Sequence, residues 1–130
     1  TSRLTIYKNK GGNAMFCSCK DMRAIRRENL QGGPGGGMFY PLIAPGEKPE
    51  GSHLKMVARV ELDPGAAVGE HTHAGDEEVY HIISGRGVFI EDGVQVKVGP
   101  GDTSVTLNGH SHSIVNTGDE PLVFLAVIAE

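Results

Sequence analysis

Cysteine, excess positive charge and long apolar runs are scarce in this chain of 130 residues, and each scarcity excludes something. The two cysteines, Cys17 and Cys19, lie two apart. On a strand their side chains would run parallel, near the upper limit of Cα separation for a disulfide. Two reduced thiols are therefore expected, as in a reducing compartment. A Cys-x-Cys pair can hold a soft metal only with two further ligands, and none lies near in sequence. The net charge of −4 leaves no basic footprint, which argues against a nucleic-acid partner. Arg23, Arg26 and Arg27 form the one basic cluster, too small to read as more than solvated surface. No apolar run is long enough to cross a bilayer and no signal-peptide pattern opens the chain. A soluble, cytoplasmic protein without membrane partners is the expectation. Amphipathic helices are absent as well, since no stretch carries the i, i+3, i+4 spacing.

Short alternating runs punctuated by turn residues take their place. An apolar content of 38% with 22% charge is globular, and the length sets one domain with one core. The 19 glycines fall at turn positions, as many short strands require. From His53 to Leu62, Met56, Ala58, Val60 and Leu62 share one face while Lys55, Arg59 and Glu61 share the other, which predicts a strand with one buried wall. Asp92-Gly93 between Val88–Glu91 and Val94–Val98 predicts a hairpin. Thr103 to Leu107 reads as a strand, and His112–Thr117 is expected to pair with the apolar run Leu122–Ile128 through residues 118–121. Leu4–Lys8 and Met15–Cys19 read as two short strands around a turn at Lys10–Asn13. Residues 1–20 are thus expected to form an N-terminal arm, available for exchange with a partner subunit, ahead of a single domain at 21–130. Residues 31–37, Q-G-G-P-G-G-G, read as the most flexible segment, a mobile loop near a barrel mouth, followed by a proline-bearing loop at 42–49. With no following helix and no Lys or Ser/Thr, they do not read as a phosphate cradle.

The chemistry concentrates in two stretches. His71 and His73 are two apart, so on a strand they project to one face about 7 Å apart at the backbone. Glu77 and Glu78 follow, and a pair of imidazoles beside a carboxylate offers nitrogen and oxygen ligands suited to a divalent transition metal. Further on, Gly101 to Asn116 supplies His110 and His112 beside the turn at Gly109. Gly65, His71, His73, Glu78 and Gly85 have the spacing of the first motif of the cupin superfamily, and Gly101, Gly109, His112 and Asn116 that of the second. Leu107 stands where the family usually has proline, a departure that touches a turn and not a ligand. Over residues 54–129 the chain therefore resembles a small single-domain cupin.

The resemblance implies an all-β fold, a double-stranded β-helix or jelly-roll barrel, holding one metal through His71, His73, Glu78 and His112. Strand alternation favours Glu78 over Glu77, and puts Tyr80 and Ile82 on the same interior face with His81 outside. Three imidazoles and a carboxylate leave room for two more ligands in an octahedron, which suits Fe(II) or Mn(II) ahead of Ni, Co, Cu or Zn. The family implies an enzyme on a small oxygen-bearing substrate, a dioxygenase first and a lyase, isomerase or decarboxylase second. The alternative is a small-ligand binding or sensor module, and fold alone does not choose between them. Tyr80 is the candidate proton donor, His110 a rim group, and Lys55 and Arg59 candidate carboxylate holders or solvent-facing charges. A homodimer is expected because open barrels leave sheet edges to cover.

Overall fold

Period-2 alternation builds strands here and almost nothing else. A computed structural model describes the backbone of residues 5–9 and 12–130 and the side chains from residue 15 onward. Leu4, Lys10 and Gly11, which belong to the expected first strand and its turn, lie outside the described residues. The described residues form twelve strands and two 3-10 turns, with no α-helix and so none long and apolar enough to cross a membrane.

The strands sort into two large antiparallel sheets. One contains β3 (Ile25–Glu28), β4 (Gly36–Ile43), β5 (Leu54–Leu62), β7 (Glu77–Ser84), β10 (Thr103–Thr106) and β12 (Leu122–Ala129), in the order β10-β7-β12-β5-β4-β3. The other contains β6 (Ala67–Thr72), β8 (Gly87–Glu91), β9 (Val94–Val98) and β11 (Ser111–Asn116), in the order β6-β11-β8-β9. Their inner faces close over one core, giving the double-stranded β-helix. Met56, Ala58, Val60 and Leu62 are buried along β5, as the alternation requires, and meet Phe124 and Ala126 of β12 and Ile114 of β11. Truncating a fully buried side chain such as Phe124 to alanine costs about 3–5 kcal/mol.

The hairpin at Asp92-Gly93 forms as predicted, with both residues at positive φ (48° and 83°) as a type I′ connection demands. Four other expectations are corrected. The second arm strand is β2 (Gly12–Phe16), pairing with β1 (Thr5–Asn9) in a two-stranded sheet of its own, and Cys19–Asp21 turns as a 3-10 helix. Residues 31–37 are not one loose loop: Leu30–Gly32 is a 3-10 turn, and Gly36 and Gly37 already pair in β4. The following strand also continues through Pro41 to Ile43, so the proline-bearing loop begins at Ala44.

The fourth correction concerns the end of the chain. β11 pairs with β6 and β8, whereas β12 pairs with β5 and β7, so the two are not a hairpin. The link between them crosses from one sheet to the other. Buried Asn116 shapes it by donating to the carbonyls of Leu62 (3.0 Å) and Glu120 (2.8 Å) and accepting from Gly118 N–H (2.9 Å). Four turn residues between apolar runs look alike in both topologies, and only the partner sheets tell them apart.

Candidate metal centre

Three strands from the two large sheets bring the four expected side chains to one point. His71 is the next-to-last residue of β6, His73 lies just past its end, Glu78 lies on β7 and His112 on β11. His71 pairs across the sheet with His112, and past the end of β6 the backbone of His73 still bonds to His110 O (3.0 Å). Val68 and His71 both face the cavity although they are three apart, which a regular strand forbids. A register shift between His112 and Ile114 opposes the extra residues of β6 around Gly69 and turns His71 inward, a common use of a β-bulge beside a site. Glu78 is 3% exposed and joins the cluster, while Glu77 is exposed and lies outside it.

The ligand atoms of the four residues lie within 4.8 Å of one another, and the group could hold a metal ion. His112 Nε2 is 3.0 Å from His71 Nε2, 3.1 Å from His73 Nε2 and 3.0 Å from Glu78 Oε1. Glu78 Oε1 is 3.1 Å from His73 Nε2 and 3.6 Å from His71 Nε2. Neighbouring donors about 2.1 Å from one octahedral metal would be about 3.0 Å apart, so the spacing fits.

The outer nitrogens settle which atoms face inward. His71 Nδ1–H donates to Gly69 O (2.8 Å), and His73 Nδ1–H donates to Asp76 Oδ1 (2.8 Å). Thr106 Oγ1 donates to Glu91 Oε1 (2.7 Å), which leaves its oxygen to accept from His112 Nδ1–H (2.7 Å). Lys55 Nζ in turn donates to Asp76 Oδ2 (2.7 Å). With every Nδ1 carrying a proton to an acceptor, neutral rings present bare Nε2 lone pairs to each other and to a carboxylate. Four lone pairs at such distances require a cation between them. Without a metal a proton serves. Burial opposes the charge on His71, but the bonds to Glu78 and Gly69 O outweigh it and raise its pKa. Burial likewise opposes ionisation of Glu78, but His112 and His71 hold its carboxyl below the ordinary value.

Tyr80, on the interior face as expected, is fully buried and stacks on the His112 ring (centroids 4.7 Å apart, planes at 14°). Burial first, then the charge and hydrogen bonding of Glu78, push its phenol well above its ordinary pKa, so it can donate a proton but not remove one. A cavity of about 150 Å³ opens over His71, His73, Glu78 and Tyr80, with Gln31 at its edge and apolar side chains making up the rest of its wall. Lys55 and Arg59 do not reach it: Lys55 pairs with Asp76 and Arg59 with Glu61. His110 is half-exposed, its Nδ1 2.5 Å from Asp92 Oδ2 in the β8–β9 turn, and does not line the cavity. His81 faces outward and meets Thr103 Oγ1 at 2.8 Å. Cys17 and Cys19 form no disulfide and stand outside the cluster. The spacing gave no sign of Thr106, Glu91 or Gln31. Only Asp76, three residues after His73, had a local signal.

A match to the family model described as a Cupin domain covers residues 58–128, more than half of the chain. The chain belongs to the cupin family. An oxalate-binding protein of Thermotoga maritima is 40% identical over 121 residues, covering 92% of this chain and 97% of that protein. A crystal structure from the same organism, described as a predicted oxalate decarboxylase, superposes with a TM-score of 0.79 at 38% identity, covering 86% of this cupin and 96% of that chain. A cupin from Silicibacter pomeroyi described as a sugar phosphate isomerase matches at TM-score 0.54 and 31% identity, over 58% of this chain and 50% of its own.

Proposed function

We propose that this cupin holds one divalent transition metal, iron or manganese, through His71, His73, Glu78 and His112, and binds a small dicarboxylate of the oxalate type beside it. The observation that carries the reading is four bare donor atoms converging on one point, with His71, His73 and Glu78 lining a cavity that no lysine or arginine lines. When bound, the metal supplies positive charge and open coordination positions for an anionic oxygen ligand. Everything else falls to the chain. The apolar wall excludes water, the Nδ1 acceptors fix the imidazoles, and Asp76 and Glu91 sharpen the basicity of His73 and His112. A cavity of about 150 Å³ admits a ligand of a few heavy atoms and excludes a sugar phosphate.

Among the activities the family resemblance opened, the names of the similar proteins support decarboxylation and sugar phosphate isomerisation; a sugar phosphate is too large for this cavity, so decarboxylation is the second reading. Conversion of hydrogen oxalate to formate and carbon dioxide breaks a C–C bond and forms a C–H bond, so a proton must reach carbon. Of the side chains lining the cavity, Tyr80 is the one non-ligand acid able to deliver it. Dioxygenase chemistry has no comparable support. The homodimer remains part of the proposal, because edge strands β9 and β10 expose Val94, Val96 and Val105. A monomer by light scattering at micromolar concentration removes that part.

The test is calorimetric titration of oxalate into metal-loaded and chelated protein, with formate and carbon dioxide assayed in parallel. Oxalate binding that disappears with the metal, without formate, is the expected result. Formate release that Tyr80→Phe abolishes would establish the decarboxylase instead. No binding in the loaded protein would sink both.

A further inference from the structure

The glycine-bearing turn before β4 does something that neither the family motifs nor the relatives' names assign. Asn29 and Gln31 both have left-handed backbone (φ 53° and 49°), which glutamine rarely adopts. The turn is held there by several bonds. Asn29 Nδ2 donates to Gly33 O (3.0 Å), Asn29 N–H to Gly35 O (2.7 Å) and Gly32 N–H to Asn29 O (3.0 Å). It is also pressed against β6, since a Cβ on Gly69 would collide with the carbonyl oxygen of Gln31 and one on Gly33 with that of Ala67. Gly69 is the residue whose carbonyl fixes His71. The strained turn and the first metal-ligand candidate therefore share one backbone support. Strain of this kind persists where the surroundings over-determine it, and it gathers at functional sites.

Gln31 lines the cavity with His71, His73 and Glu78; it is exposed at the rim, and its carboxamide makes no hydrogen bond within the described residues. Apart from His71, His73 and Glu78, Gln31 and Tyr80 are the polar residues on the cavity wall. We propose that Gln31 is the specificity residue of this cavity, its carboxamide N–H donating to the carboxylate oxygen that a bound dicarboxylate turns away from the His/Glu cluster. The inference rests on the dicarboxylate reading above. It assigns recognition of the second carboxylate to a neutral donor, so a dicarboxylate is favoured over a monocarboxylate without a protein cation.

The test compares wild type with Gln31→Glu, Gln31→Leu and Gln31→Gly for metal content, thermal unfolding, and affinity for oxalate and acetate. Metal content is expected to stay constant. Loss of a hydrogen bond to a charged group corresponds to about 10- to 100-fold, so Gln31→Leu should weaken oxalate about tenfold and Gln31→Glu more. Acetate should change by less than about threefold on the same scale. Gln31→Gly relieves the left-handed strain and should raise the melting temperature while weakening oxalate, a split that a structural role alone does not give. Oxalate affinities in Gln31→Leu and Gln31→Glu within about twofold of wild type would overturn the assignment while leaving the dicarboxylate reading intact. A loaded wild-type protein that ignores oxalate would overturn both.

Discussion

Two cavities share Tyr80 as a wall, and the smaller one is the better built. The larger, about 310 Å³, lies between the β9 and β10 edges on the other side of Tyr80, lined by Phe89, Val96, Lys97 and Ser104 among others. None of the four clustered residues reaches it, and Ser104 Oγ is buried there without a hydrogen-bond partner. In the smaller cavity, of about 150 Å³, each imidazole has its outer nitrogen anchored and its inner one aimed at a common point. Empty volume is what imperfect closure of a barrel leaves behind. Convergent donors with their own supports are what a site requires.

The largest effect that could break this contrast is loss of a ligand. His112→Ala removes the imidazole closest to the other three donors and the ring on which Tyr80 stacks. We expect bound metal to be lost and the fold to weaken by about 2–4 kcal/mol, from the cavity and the loss of the donor to buried Thr106 Oγ1. His110→Ala should keep its metal, since that ring sits on Asp92 at the surface. Metal analysis of the two purified variants decides it, and equal losses would mean that the wrong histidine has been assigned.

Next in size is the support behind the ligands. Thr106→Val keeps the shape but removes the acceptor for His112 Nδ1–H, a change expected to weaken metal binding about 10- to 100-fold. Competition with a chromogenic chelator measures it. An unchanged affinity would show that the ring is held by packing on Tyr80 and not by the hydrogen bond.

The difference between ligands and supports also marks what could be read from the chain alone. His71, His73, Glu78 and His112 were legible because strand parity and motif spacing are local, and so were the buried face of β5 and the Asp92-Gly93 hairpin. Thr106 reaches His112, and Glu91 reaches Thr106, only through the register of β10 on β7 and the packing of one sheet on the other. That register is set by the assembled core and leaves no trace in spacing. The β11–β12 link failed for the same reason. The glycine-bearing turn misled in another way. Its glycines read as freedom, whereas Gly33 is a close approach to β6 that ties Gln31 beside the His/Glu cluster.

In the larger cavity the matched substitution should do the opposite of Thr106→Val. Ser104→Ala deletes a hydroxyl that has no partner, so stability should hold or rise by up to about 1 kcal/mol, with metal affinity unchanged. Chemical denaturation and the same chelator competition test both halves. A clear destabilisation would mean that Ser104 Oγ holds water or a ligand, and that the larger cavity is a site after all.

The smallest effect lies at the edge of the metal cavity, where Pro45 forms part of the wall. Glu47 fastens that segment by accepting from Ala44 N–H (2.9 Å) and from Arg23 (2.6 and 2.8 Å). The Arg23 guanidinium, followed by the Ala44 amide, lowers the Glu47 pKa to about 2. An unfolded glutamate titrates near 4.3, so this contribution is fully present above about pH 4.3 and is lost as the pH falls toward 2. The Glu47 side chain is 48% exposed, so solvent screening holds the contribution below about 1 kcal/mol. Wild type minus Glu47→Gln, followed by denaturation between pH 6 and pH 2.5, should show a small stability difference that shrinks only below about pH 4.3. If the difference stays flat through that window, the carboxylate is not what fastens this wall, and the tether resides in the Pro45 turn itself.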